Sequence, residues 1–387
     1  MDFKGLRILV TDGSGRQIPT VLEQLHELGC VTVTVNSSRL DCGYTSRYPE
    51  RRILCPRAER DPDALKEVLD REILSGSFDA VFPMLEMSTS VCLENEKEYR
   101  KHVKIIAAPA EAFRIAADKQ KTMMACMENG IPCPVTRRDG EEAEEFIRRT
   151  GYPIAVKPRE GTGSIGFHCV KNAGQMEMLH AQGFKEEKNV IQEYIPQTDI
   201  QYIGIFMTDA EGELRSAVIC GKYRWYPVDG GAACYLRTVD RPDLVDCGYR
   251  LLKAIGWRGE AHLDFIADPR DGSRAKVLEI NGRIPASIKI CKCAGIPLIR
   301  QELQYAFGES VEDCTGKKVS EGIALRYFQT DLLWLLRSPG RFRAKPSWFD
   351  FSGSSDFIFS IRDPLPFFSY SLSHLLSYRE DMKKRAR

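Results

Sequence analysis

Val277-Leu278-Glu279-Ile280-Asn281-Gly282-Arg283 follows another apolar run, His262-Leu263-Asp264-Phe265-Ile266, across a turn marked by Asp271-Gly272. Polar and apolar residues alternate from His262 to Phe265 and from Leu278 to Asn281, the pattern of paired β-strands. A tight hairpin centred on Asp271 and Gly272 sets Asp264 opposite Glu279 and His262 opposite Asn281, although Pro269 leaves room for a longer loop. Alternation places all four side chains on one face, and directly opposed residues hold their Cβ atoms ~4.5–5.5 Å apart. Two carboxylates that close repel unless a cation joins them or one keeps its proton. Hard oxygen ligands around a small gap suit Mg²⁺ bound together with phosphates, so this face looks like a magnesium cradle. The plain alternative is a solvated acidic hairpin face.

Upstream, Ile154-Ala155-Val156-Lys157-Pro158 reads as an apolar strand ending in a lysine, followed by Gly161-Thr162-Gly163-Ser164-Ile165-Gly166 and then Phe167-His168-Cys169-Val170. Alternating glycines let backbone N–H groups close over a polyanion, and the lysine adds a point charge. The stretch is a candidate phosphate lid, against the simpler reading of a flexible hairpin tip. It lacks the Gly-Lys-Ser/Thr ending of a Walker loop. Val190 to Pro196 forms the next strand and closes on Gln197-Thr198-Asp199. Such a strand end can offer backbone groups to an adenine edge and a carboxylate to a ribose, although an ordinary turn aspartate fits Asp199 equally well.

The order strand-lysine, glycine loop, Gln-Glu-Tyr-Ile, Asp-Phe and Leu-Glu-Ile-Asn-x-Arg resembles the ATP-grasp superfamily, more closely its carbamoyl-phosphate-synthase-like branch of carboxylate–amine ligases. Ala117-Asp118-Lys119 opening a helix, Gly130-Ile131-Pro132-Cys133-Pro134, Tyr226-Pro227 and Gly230-Gly231-Ala232 extend the match over roughly residues 1–308. The resemblance implies ATP and Mg²⁺, with Mn²⁺ as a substitute ion. It makes Lys119 and Lys157 phosphate contacts, Gly161, Gly163 and Ser164 parts of the lid, Glu193, Tyr194 and Ile195 the adenine edge, and Asp199 the ribose carboxylate. It assigns the metal to Asp264, Glu279 and Asn281, and the substrate carboxylate or its acyl phosphate to Arg283. Two positions depart from the family: Asp199 stands where glutamate is usual, and Gly282 where proline is usual.

The implied architecture is α/β and α+β: an ATP-grasp fold behind a Rossmann-like pre-ATP-grasp domain at 1–115. The ATP-grasp domain covers 116–308, with a lid at about 120–190 and a catalytic sheet at about 191–308, and 309–387 is a helical or irregular extension. The first strand, Leu6 to Val10, leads through Gly13 and Gly15 into a helix and then Val31 to Val35. A dinucleotide site would need a third glycine where Ile18 stands and an acid where Asn36 stands, so NAD is not expected. Glu86, after the Asp79–Pro83 strand, is placed to line the substrate pocket.

Hydrophobic content of 43% and charged content of 28% over 387 residues read as an ordinary globular chain, and the net charge of +1 argues against nucleic acid as a partner. Thirteen cysteines without a two-residue gap suggest reduced buried thiols. With no signal-peptide core or spanning segment, a cytoplasmic location is expected. Arg224, in Lys222-Tyr223-Arg224-Trp225, is a candidate for an acidic substrate or the transferring phosphoryl group, against simple packing on Trp225. Apolar runs at 323–345 and 364–378, the latter followed by Lys383-Lys384-Arg385, suit helices packed on the catalytic domain or on a second subunit of a homodimer. Peripheral membrane contact is the lesser alternative.

The expected chemistry is ATP-dependent joining of a small-molecule carboxylate to an amine, or to a thiol. Phosphorylation of bicarbonate or carbamate, and a non-catalytic ATP-binding module, are the alternatives. A carboxylate near the site or His262 is expected to take the proton from the amine.

Overall fold

Short apolar strands separated by helices yield a parallel sheet, because each helix returns the chain to the start of the next strand. In the computed structural model, which describes residues 2–161, 166–228, 231–272 and 274–385, five strands obey that rule. They are β1 (Arg7–Val10), β2 (Val31–Asn36), β3 (Arg51–Leu54), β4 (Ala80–Phe82) and β5 (Lys104–Ile105), ordered β3-β2-β1-β4-β5. The helix Ile18–Glu27 lays Val21, Leu22 and Leu25 against Ile8 and Val10. Its periodic apolar face, read from the sequence, is the face that is buried.

A three-stranded antiparallel sheet follows, with β6 (Ile154–Pro158) between β7 (His168–Val170) and β8 (Asn189–Glu193). It carries its own small core of Phe146, Ile154, Val156, Val170, Met176 and Ile191, separate from the larger cores. Asp118 caps the helix Lys119–Glu128 by accepting from the Gln120 N–H at 2.9 Å. The same carboxylate accepts from Arg159 Nε at 3.0 Å and Nη2 at 2.7 Å, which ties the end of β6 to that helix start.

The third sheet has seven strands. These are β9 (Gln201–Thr208), β10 (Leu214–Tyr226), β11 (Ala232–Thr238), β12 (Gly259–Asp268), β13 (Arg274–Asn281), β14 (Ala324–Arg326) and β15 (Ser354–Asp356), ordered β13-β12-β9-β10-β11-β14-β15. The segment beyond 308 holds the helices Phe328–Arg337 and Leu365–Arg385. It also supplies β14, which pairs along the edge of β11 that would otherwise present open backbone groups, and β15, which pairs with β14.

Arg224 belongs to this packing and not to the substrate site proposed for it from sequence. Where β10 pairs with β11, register shifts flank Arg224 on both sides, and irregularities of this kind re-aim a side chain. Arg224 is fully buried: Nε donates to Asp331 Oδ1 at 2.6 Å, Nη2 to Oδ2 at 3.2 Å, and Nη1 to the Pro346 carbonyl at 3.0 Å. Its guanidinium lies 3.8 Å from the Tyr235 ring centre, and Arg326 shares the carboxylate at 2.9 Å. The arginine thus pins the helix Phe328–Arg337 to the sheet. Asp331→Asn, which strands two buried cations, is expected to cost ~3–5 kcal/mol, read as a lower urea midpoint. Arg224→Met paired with Asp331→Leu should recover only the Arg224 share of that loss, because Arg326 still loses its carboxylate.

Candidate active site

The β12–β13 hairpin realises the expected register at its functional end by an unexpected route. His262 pairs with Asn281 and Asp264 with Glu279, but Asp268 pairs with Arg274, so the loop is longer than a two-residue turn. A bulge at Leu278 absorbs the difference. Ala275 and Val277 below the bulge and Ile280 above it all face one core, because the extra residue shifts the alternation by one. Without it, Glu279 would share the face of Val277 and point into that core. The bulge therefore delivers the carboxylate to the side where Asp264 lies.

Cations converge on these acids. Lys222 Nζ donates to Asp264 Oδ1 at 2.6 Å, Asn281 Nδ2 donates to Oδ2 at 3.0 Å, and Lys119 Nζ stands 3.6 Å from Glu279 Oε2. Burial pushes the Asp264 carboxyl up, but Lys222 and the other donors outweigh it and hold it down at about 2. Lys157 is drawn down to about 8 by burial, with Glu279 opposing the shift and Lys119 adding to it. Arg283 Nη2 reaches Asn281 Oδ1 at 3.4 Å. Among the described residues no three His, Cys, Asp or Glu side chains converge on a metal position. Two carboxylates and an amide, already neutralised by ammonium groups, fit an ion that takes its remaining ligands from phosphates and water.

The other expected residues separate into three groups. Gly163 and Ser164 lie outside the described residues. Gly161, with φ of +101°, accepts from Lys119 Nζ at 2.5 Å through its carbonyl, so the lid begins beside the cation cluster. Glu193 accepts from the Val135 N–H at 2.9 Å, Lys276 at 2.9 Å and Arg270 at 2.7 Å, which lowers its carboxyl against the upward pull of burial. Its side chain is committed to this network, and the next residue's main chain is paired as well: the Tyr194 N–H donates to the Pro153 carbonyl at 3.3 Å and its carbonyl accepts from Arg270 Nη1 at 3.3 Å, while Ile195 is buried. Asp199 is exposed in the loop between β8 and β9.

His262 is not the base expected from sequence. It is buried, neither ring nitrogen has a hydrogen-bond partner, and burial draws it down to about 4, so it is a poor proton acceptor near neutrality. Glu86 also lies beside the cleft. It opens the helix Glu86–Glu94, is half-buried, and is raised by burial with the Arg283 cation opposing the shift.

A cleft of about 1080 Å³ adjoins these groups, its lining including Arg16, Glu86, Lys121, Arg283, Tyr370 and His374. The loops carrying Arg16 and Glu86 leave adjacent strands β1 and β4, where the order of the parallel sheet reverses. Open parallel sheets bind ligands at that switch point, because the two loops diverge there and leave a crevice. Gly282 keeps the Arg283 turn compact: a Cβ at 282 would come within 2.8 Å of the Phe113 ring. That contact explains glycine where the family usually has proline.

Comparison with known proteins agrees with this geometry. The ATP-grasp domain profile matches residues 116–287. Residues 116–287 are an ATP-grasp domain. The carbamoyl phosphate synthase large chain of Sulfurisphaera tokodaii is 25% identical over 322 residues, covering 79% of this chain and 30% of that one. This chain spans less than a third of the length of the curated relatives it matches first. Biotin carboxylase from Campylobacter jejuni, solved as a β,γ-ATP complex, superposes with a TM-score of 0.64 at 18% identity, over 79% of this chain and 72% of that one. An L-amino acid ligase from Bacillus licheniformis gives 0.64 at 17% identity, over 83% and 79%.

Sequence reasoning passed over Lys222. It lies on β10, one strand beyond β9 from Asp264, and only the β12-β9-β10 order brings the two together. Its signal was a polar residue in an otherwise apolar stretch, and Arg224 two positions on drew the assignment instead. Removing Lys222 as Lys222→Met should leave Asp264 undercompensated and cost on the order of 2 kcal/mol, seen as a lower melting temperature. Mg²⁺ with ATP should restore more of that loss than it adds to the parent protein; an unchanged melting temperature without ligands would remove the compensation argument.

Proposed function

We propose that this protein is an ATP- and Mg²⁺-dependent ligase that activates a carboxylate as an acyl phosphate and passes the acyl group to an amine. The observation that carries the reading is the convergence of Asp264, Glu279 and Asn281 with Lys119, Lys157 and Lys222 beside Arg283, at the edge of the cleft. Carboxylates do not condense with amines in neutral water because the oxygen leaving group is poor, and phosphorylation supplies a better one. Bound Mg²⁺ would offset charge on the nucleotide phosphates, held by Asp264, Glu279 and Asn281. Lys119 and Lys157 would hold the phosphates in line and spread the charge of transfer, which is mostly a matter of positioning and electrostatics. Arg283 would grip the substrate carboxylate through a fork of N–H donors.

The amine would enter from the switch-point cleft. Glu86, whose carboxyl is raised by burial, would take its proton. The lid strands β6–β8 would close over the phosphates and exclude water that would hydrolyse the acyl phosphate.

Phosphorylation of bicarbonate or carbamate is the second reading, favoured by the carbamoyl phosphate synthase relatives. The cleft volume of about 1080 Å³ favours a bulkier acceptor than ammonia. The two readings separate in an assay of ADP release across a panel of organic acids, amino acids and bicarbonate. Turnover with an acid–amine pair is the expected result, and turnover with bicarbonate alone would select the second reading. Arg283→Lys should lower kcat/KM by about 10²–10³-fold, as loss of an oriented charge donor does, with nucleotide affinity little changed. Glu279→Ala should abolish Mg²⁺-dependent nucleotide binding; binding unchanged by that substitution, without turnover on any panel member, would indicate a non-catalytic module.

A further inference from the structure

Exposed large apolar side chains are concentrated at one end of the chain. Of nineteen among the described residues, thirteen lie beyond residue 327, so the apolar surface belongs to the C-terminal segment and not to the enzyme body. On the helix Phe328–Arg337 the exposed set is Phe328, Leu332 and Leu336, four residues apart and hence one stripe. On the helix Leu365–Arg385, Leu365, Phe368, Leu372, Leu375 and Leu376 form a second stripe, with Leu375 73% exposed. The stripes adjoin, because Gln329, next to Phe328, donates to Ser371, next to Leu372, at 2.7 Å. The inner face of the longer helix is already used: Thr45 Oγ1 and Ser369 Oγ are 2.8 Å apart, and Tyr370 and His374 line the cleft.

Charge decides what covers this surface. Between residues 332 and 349 there are four basic side chains, Arg337, Arg341, Arg343 and Lys345, and no acidic one. Phe342, 74% exposed, lies among them with Arg341 5.0 Å from its ring centre. After the second stripe, Arg379, Lys383, Lys384 and Arg385 outnumber Glu380 and Asp381 in sequence. A second copy of the chain would bring two cationic rims face to face, which disfavours a symmetric pair. An apolar stripe flanked by lysine and arginine suits the headgroup region of an anionic bilayer, where the apolar side chains enter the acyl boundary and the cations meet the phosphates. No helix among the described residues is long and apolar enough to cross a membrane, which is consistent with a helix lying in the interface.

We propose that the two helices beyond residue 327 form a docking surface for an anionic lipid membrane, with the substrate cleft opening on the opposite side of the second helix. The test is co-sedimentation of the full chain with vesicles of phosphatidylcholine alone or mixed with phosphatidylglycerol. Retention on the mixed vesicles only, weakened by raised salt through screening, is expected. Phe368→Ser with Leu375→Ser should reduce retention at least tenfold, and Arg341→Glu with Arg343→Glu, a surface change that leaves the apolar stripe intact, should reduce it severalfold. Failure of the parent chain to sediment with either vesicle overturns the proposal, as does equal retention on both. A dimer in sedimentation equilibrium that Phe368→Ser with Leu375→Ser dissociates, without vesicle retention, assigns the surface to a second copy instead. None of these readings depends on ligase activity.

Discussion

Asp264 and Glu279 are held as opposed residues on adjacent strands, and that enforced closeness of two negative charges organises the centre of the molecule. Left alone, the pair would push one carboxyl toward protonation. Lys222 from β10 and Lys119 from a helix start each meet one of the acids, while Lys157 from the lid sheet lies within their field. The chain thus spends three ammonium groups, drawn from three different elements, on one short hairpin. A folded body needs no such arrangement for stability, since desolvating ions is costly. It is the arrangement expected where a polyanion and its metal come and go.

The surrounding structure keeps this cluster accessible while burying everything behind it. The Leu278 bulge turns the carboxylate outward as the hydrophobic sequence continues inward. Phe113 closes on Gly282 and keeps the backbone beside Arg283 compact. Asp118 caps the helix that carries Lys119 and at the same time clamps Arg159 just beyond β6, so the helix of Lys119 and the strand of Lys157 share one anchor. The parallel sheet adds the open side, because its switch point faces the same space.

The C-terminal segment has two roles in the architecture. Arg224 and Asp331 lock its first helix onto the catalytic sheet through a fully buried ion pair, and β14 and β15 extend that sheet. Its second helix walls the cleft with Tyr370 and His374. An outward apolar face on a segment fastened this firmly has a defined position relative to the site, which a loose tail would not have.

Much of the fold was legible in the sequence where periodicity spoke directly: the strand–helix–strand start, the strand ending in Lys157, and the facing order of Asp264 and Glu279. Local chemistry was enough there, because alternation is a property of neighbouring residues. The turn length was misread and yet the register near Asp264 was right, since the bulge at Leu278 offset the longer loop. Arg224 and Lys222 mark the other limit. Both are cations on one strand, and only the order of β12, β9, β10 and β11 and the register shifts beside Arg224 determine that Lys222 meets Asp264 while Arg224 is buried against Asp331. What the sequence alone determined was which side chains carry the charge and which strands hold them. Which cation meets which anion was decided by tertiary structure, because Coulomb energy depends on distances across sheets that no stretch of neighbouring residues encodes.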